Sequence, residues 1–156
     1  MTRILFSLLL HSFLLGGYAQ AQQAEINLIL DDFHLAASEA DYDRYFGHLS
    51  DESIFFGTDM SERWTKQEFQ EYAKPHFDEG RGWTYVPTDR NIYVSEDGKV
   101  GWFDEVLVNE QYGEVRGTGA LILENESWKI VQYHLTLPVP NDLLMTLVEM
   151  INSQSE

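Results

Sequence analysis

The residues best suited to chemistry sit together in one segment, Val100–Val108. A β-strand sends successive side chains to opposite faces, so Val100, Trp102, Asp104 and Val106 share one face, and Gly101, Phe103, Glu105 and Leu107 the other. Only one of the adjacent carboxylates Asp104 and Glu105 can enter an interior. The face carrying the larger aromatic, Trp102, is the better ligand-stacking wall, which favours Asp104 as the inward acid. A carboxylate beside an indole in an apolar pocket has a raised pKa and can act as general base or acid. On a sheet surface the same acid would be an ordinary cross-strand partner.

Arg116, on the next strand with Glu114, Thr118 and Ala120, has the forked geometry to clamp a ligand carboxylate, or to pair with Asp104 or Glu105 instead. Gly117 and Gly119 on the opposite face read as a sharp bend. Four histidines follow residue 21: His34, His48, His76 and His134. No pair has the i, i+4 spacing of a helical zinc site and there is no His-x-His, so no metal is expected. His134 is either a pocket acid/base or a structural donor at a subunit interface, and His34 flanks a helical stripe from which it reaches a pocket mouth. Read as chemistry, Glu62 and Trp64 would place an acid and an aromatic at that opening; the favoured reading makes Trp64 a hydrophobic staple before the Thr65 cap. Tyr133, like Tyr42, Tyr45, Tyr72 and Tyr85, is a core or rim aromatic, and one inward hydroxyl would serve as an oxyanion donor.

Helices and strands that would position these groups are segregated along the chain. Ile26, Ile29, Leu30, Phe33, Ala37 and Ala40 fall at helical spacing, and Asp41 can cap a short second helix. Ser53–Gly57 reads as a strand. Thr65-Lys66-Gln67-Glu68 is a capping box for a third helix, which Pro75 should kink or shorten. From Trp83 the texture is that of strands. A run interrupted by Pro87 is followed by a hairpin signal at Asp97-Gly98, then Val100–Val108, Glu114–Leu123 and Trp128–Leu137, with a further turn at Asn125-Glu126. Leu143, Leu144, Leu147, Val148 and Ile151 mark a last helix. This order predicts an α+β fold with helices on one face of a curved antiparallel sheet.

The 156 residues suffice for one domain, 44% hydrophobic and therefore able to form a core. A formal net charge of −16 opposes phosphate backbones, so no nucleic-acid partner is expected. The absence of cysteine removes disulfides, thiolate nucleophiles and Cys-held zinc. With no nucleophile elbow, phosphate loop or dinucleotide fingerprint, cofactor-free acid–base chemistry or simple binding remains. Arg3, the apolar run Ile4–Leu15 and Ala19-Gln20-Ala21 stand in the order of a secretory leader. The run is too short to span a bilayer. Residues 1–21 are thus expected to be a cleaved signal peptide, leaving one periplasmic or secreted domain, residues 22–156, with no hold on the membrane.

Several short segments resemble the SnoaL-like branch of the nuclear transport factor 2-like superfamily. They are Gly57-Thr58-Asp59, Glu62-Arg63-Trp64-Thr65, Gly80-Arg81-Gly82-Trp83, Trp102-Phe103-Asp104-Glu105, Arg116-Gly117-Thr118-Gly119, Trp128-Lys129-Ile130 and Tyr133-His134-Leu135 through Pro140-Asn141. The resemblance covers about Glu25 to Asp142 and implies a cone, in which a strongly curved sheet wraps a pocket and the N-terminal helices pack on its concave face. It also implies an unidentified small-molecule ligand and a homodimer. Members span isomerases, cyclases, dehydratases, binders and oligomerising domains, so no single reaction follows.

Overall fold

The structure, a computed structural model, describes the backbone of residues 2–154 and the side chains from Ala19 to Ser153. The expected leader, residues 1–21, therefore falls almost wholly outside the described side chains. Among the described residues, no helix is long and apolar enough to cross a membrane.

Helix α1 spans Thr2–Ser38 and buries Ile26, Leu30, Phe33 and Ala37, one stripe at helical spacing. Asp41 caps α2 (Tyr42–Gly47) by accepting the Arg44 N–H at 3.2 Å. Strand β1 (Leu49–Phe56) is followed by the short β2 (Arg63–Thr65), which the sequence did not single out, and by α3 (Lys66–Asp78). Both halves of the Thr65–Glu68 capping box are formed. Pro75 does not end α3. It removes one backbone donor, and both it and Glu71, four residues earlier, lie on the exposed side, where water can take the freed carbonyl.

The meander β3 (Val86–Val94), β4 (Val100–Asn109), β5 (Gly113–Glu124) and β6 (Ser127–Thr136) follows, then a 3₁₀ turn (Asn141–Leu143) and α4 (Leu144–Gln154). The sheet order is β2-β1-β6-β5-β4-β3. All neighbours are antiparallel except β1 and β6, which run parallel with Ile54 beside Gln132 and Phe56 beside His134. Pro87 lies inside β3 and is tolerated there because β3 is an edge strand, with a register shift between Pro87 and Asp89. The β5–β6 turn places Asn125 and Glu126 at φ of 48° and 65°, the left-handed pair that a two-residue hairpin needs.

The result is an α+β architecture: an open, curved sheet whose concave face is covered by the helices. Phe33 of α1, Tyr45 of α2 and Phe69 of α3 join Phe55, Phe103, Leu107, Val115, Leu121, Ile130 and Tyr133 of the sheet in one core.

Candidate active site

Strand β4 settles which of its acids faces inward. Gly101, Phe103, Glu105 and Leu107 are buried, whereas Trp102 is 46% exposed and stacks on Tyr93 of β3 with ring centres 5.7 Å apart. The inward acid is Glu105, and the expectation for Asp104 and Trp102 is corrected: both lie on the convex face. The cause is room. Glu105 stands opposite Gly117 on β5, and a Cβ at Gly117 would come within 2.8 Å of the Glu105 carboxylate and would also strike the Tyr133 hydroxyl. A Cβ at Gly119 would lie 2.7 Å from the Phe103 ring. The alternate glycines thus make space for inward side chains.

Glu105 is 1% exposed, and three donors converge on it. Oε1 accepts from the Tyr133 hydroxyl at 2.9 Å and from His34 Nε2 at 2.8 Å, and Oε2 accepts from Arg90 Nε at 2.8 Å. Burial, the largest single influence, pushes the Glu105 carboxyl up. The bond from His34, the charge of that ring whenever it is protonated, and the charge and bond of Arg90 outweigh it and hold the group below the usual glutamate value. Glu105 is therefore a carboxylate, able only to accept, which assigns the hydrogen to His34 Nε2. His34 Nδ1 has no hydrogen-bond partner among the described residues. Burial, then the charge and bond of Glu105, drive the Tyr133 hydroxyl well above the usual tyrosine value, so it stays a donor.

Arg90 balances the carboxylate. Its side chain is 6% exposed, and Nη1 donates to Asp31 Oδ1 at 2.6 Å and to Asn27 Oδ1 at 2.9 Å, both on α1. Arg90 Nη2 is buried without a partner among the described residues.

In front of this network lies a water-sized void of about 10 Å³, bordered by His34, Tyr45 and Tyr133. Phe55, Trp83, Tyr85 and Leu135 line both this void and a much larger groove of about 770 Å³ that opens to solvent. That volume is of the size that takes drug-like molecules. Trp64 stacks on Phe69 at 5.4 Å and on Tyr72 at 4.9 Å, forming one wall. It precedes the Thr65 cap and packs on the fourth residue of α3, so it is both staple and groove wall. Glu62 also lines the groove. Burial, followed by the neighbouring Tyr112, Tyr72 and Glu62, pushes the Tyr85 hydroxyl up to about 12.

The remaining sequence candidates separate. His34 lies not at a mouth but at the floor, 7% exposed, and Tyr133 is beside it. His134 sits one residue along β6, on the opposite face, its ring 5.4 Å from Phe56 and away from the groove. Arg116 is exposed on the convex face and, among the described residues, pairs with no acid; Asp104 instead accepts from Asn91 Nδ2 at 3.3 Å. Sequence reasoning held Glu105 only as the alternative to Asp104 and missed Arg90. The Gly117 opposite Glu105 was the available signal, because a side-chain-free neighbour is what an inward glutamate requires.

A second ionic cluster lies outside the groove. Asp32 accepts from both Arg44 and His48, the latter at 2.7 Å. The Arg44 bond chiefly holds the Asp32 carboxyl down, to about 2, against its burial. Among the described residues, no three His, Asp or Glu side chains converge as a metal site.

Comparison with known proteins agrees with this architecture. A nuclear transport factor 2-like protein of unknown function from Pseudomonas putida is similar over 80% of this chain and 92% of its own, with a TM-score of 0.66 and 13% identity. A protein of Novosphingobium aromaticivorans described as a candidate scytalone dehydratase is similar over 77% of this chain and 86% of its own, with a TM-score of 0.65 and 10% identity. A candidate dehydratase of this fold from Streptomyces avermitilis is similar over 78% and 99%, with a TM-score of 0.62 and 11% identity. At such identities the likeness is one of fold. No curated protein sequence matches significantly. The SnoaL-like domain model matches residues 26–140. With the described curved sheet and its helix-covered concave face, that match makes the chain a member of the SnoaL-like domain family, of nuclear transport factor 2-like fold.

Proposed function

We propose that this is an exported small-molecule-binding protein that carries out cofactor-independent proton transfer, with His34 as its acid/base. The observation that carries the reading is the continuity of the aromatic groove, through Phe55, Trp83, Tyr85 and Leu135, with the void at His34 and Tyr133. Glu105 fixes the His34 tautomer from behind, leaving Nδ1 to take a proton from a ligand and return it. The carboxylate stabilises the imidazolium formed in between. Tyr133 holds its proton and steadies Glu105.

The buried Arg90–Glu105 pair favours a second reading, in which the network only organises the core and the groove binds without reacting. The two separate with 5-nitrobenzisoxazole, a neutral aromatic probe. A base that removes its ring C–H proton breaks the N–O bond and leaves a phenolate. The wild type is expected to accelerate this opening, and His34→Gln to lose the acceleration by about 100-fold, the usual worth of a placed general base, while still binding the probe. Equal rates in the two proteins would leave binding alone.

Export is supported by the leader-like order of Arg3, the apolar run and Ala19-Gln20-Ala21, and by Gln22, whose side-chain amide already docks on Gly98 O at 2.8 Å. Cleavage after Ala21 would preserve that contact, and intact-mass measurement of exported protein tests it. A homodimer is supported by the exposed Tyr93–Trp102 stack on the convex face and by α4, whose Leu144, Met145, Val148 and Ile151 are all exposed. A monomer mass by light scattering at micromolar concentration would count against it.

A further inference from the structure

We propose that the groove selects organic cations, a small ammonium group carried on an aromatic or alkyl body. This rests on the reading of the groove as a ligand site and specifies its ligand class. The argument starts from what lines the cavity. Trp64, Tyr72, Trp83, Tyr85 and Tyr112 present aromatic rings, and the only charged lining groups among the described residues are the carboxylates of Glu62 and Glu110. Among the described residues, no lysine, arginine or histidine lines it.

Aromatic faces carry the negative end of a quadrupole, and they attract a desolvated cation most strongly when the ring is an indole or phenol. The arrangement here is already assembled. Trp64 packs near-parallel to both Phe69 and Tyr72, whose own ring centres are 6.4 Å apart, so the three rings form one cluster and the orientation of Trp64 is set before any ligand arrives. Glu62 is held as well, its Oε2 accepting the Asp59 backbone N–H at 3.1 Å. Its carboxylate also fills the space that Gly57 leaves open. Neither Glu62 nor Glu110 has an ion-pair partner within the described residues, so their charge is available to a ligand. An anion would meet two carboxylates, a net charge of −16 on the chain and no basic group to bind. A neutral aromatic would stack but gain nothing from the acids. Only a cation uses both features.

The test compares three probes of similar size, benzyltrimethylammonium, benzyl alcohol and benzoate, at 150 mM salt. Binding is read by calorimetry and by the fluorescence of Trp64 and Trp83. The cation is expected to bind at least about tenfold more tightly than benzyl alcohol, with benzoate weakest. In the double variant Glu62→Gln/Glu110→Gln the ratio of cation to alcohol affinity should narrow severalfold, and in Tyr112→Leu, at the exposed rim, it should narrow too. Benzyl alcohol or benzoate binding as tightly as the cation would overturn the assignment, as would a ratio that both variants leave unchanged. If 5-nitrobenzisoxazole is still turned over in a His34-dependent way, those results remove the cation preference and leave the site. If no probe binds and that reaction also fails, both readings fall.

Discussion

Glu105→Gln tests the network at its centre. The substitution keeps the shape of the side chain but replaces one accepting oxygen with an NH₂ that can only donate. Three donors now face a group with a single acceptor, namely Tyr133, His34 and Arg90. The amide oxygen should turn to Arg90, whose side chain is 6% exposed and cannot be left without a partner. The NH₂ then points at Tyr133, whose hydroxyl can rotate to accept, and at His34, which can accept only by moving its hydrogen from Nε2 to Nδ1. Breaking a buried ion pair costs about 3–5 kcal/mol. Arg90 keeps Asp31 and Asn27, so the lower end applies, about 3 kcal/mol or about 10 °C in Tm for a domain of this size. Thermal melts at neutral pH measure the loss, and long-range nitrogen–proton NMR of the imidazole reads the tautomer. Asp104→Asn, on the convex face, should change stability by no more than about 0.5 kcal/mol. A Glu105→Gln protein melting within about 2 °C of wild type, with the His34 tautomer unchanged, would refute the reasoning.

Gly117→Ala should drive the Tyr133 hydroxyl off Glu105, lowering stability by about 1–3 kcal/mol and abolishing His34-dependent probe turnover; retained turnover on a melt equal to wild type would deny Gly117 this role. Glu126→Gly relieves a non-glycine residue at φ 65° and should raise stability by up to about 1 kcal/mol, measured by urea unfolding. Acid should weaken the fold between about pH 4 and pH 2. Asp32 is held down to about 2 from an ordinary 3.8, so its contribution is full above the unfolded value and lost as pH falls through the folded one. Asp32 is 37% exposed, which keeps the effect small, and Asp32→Asn should flatten the stability–pH curve across that window.

Much of this could be read from the chain. The stripe of α1, the Asp41 cap, the Thr65–Glu68 box and the turns at Asp97-Gly98 and Asn125-Glu126 are local signals, each set by residues a few positions apart. The sign of β4 was not local. Alternation separates Asp104 from Glu105, but both faces carry large apolar residues, Phe103 and Leu107 on one and Trp102 and Val106 on the other. What decides is the space at Gly117 on the next strand and a counter-charge at Arg90 on another. His34 was placed too shallow for the same reason, because its partner is 71 residues away. Glu62 and Trp64 stand at the groove edge, where turn and aromatic chemistry leaves a local pattern, whereas Tyr133 is buried at the floor beside His34.

The single parallel contact in the sheet, β1 beside β6, bears on how the chain can come to be folded at all. Until β6 exists, β1 has only the three residues of β2 to pair with, and the Ser50 hydroxyl waits for a Glu124 that lies 74 residues further on. The groove wall at Phe55 and Trp64 is thus closed by a strand that lies more than 70 residues beyond β1 along the chain. A chain emerging from its N-terminus cannot assemble this site progressively. It must remain open until β6 has been delivered, and then close in one long-range step, with slow, concerted formation expected of so non-local a pairing. The topology itself thus withholds the native state until both partners of that contact are present.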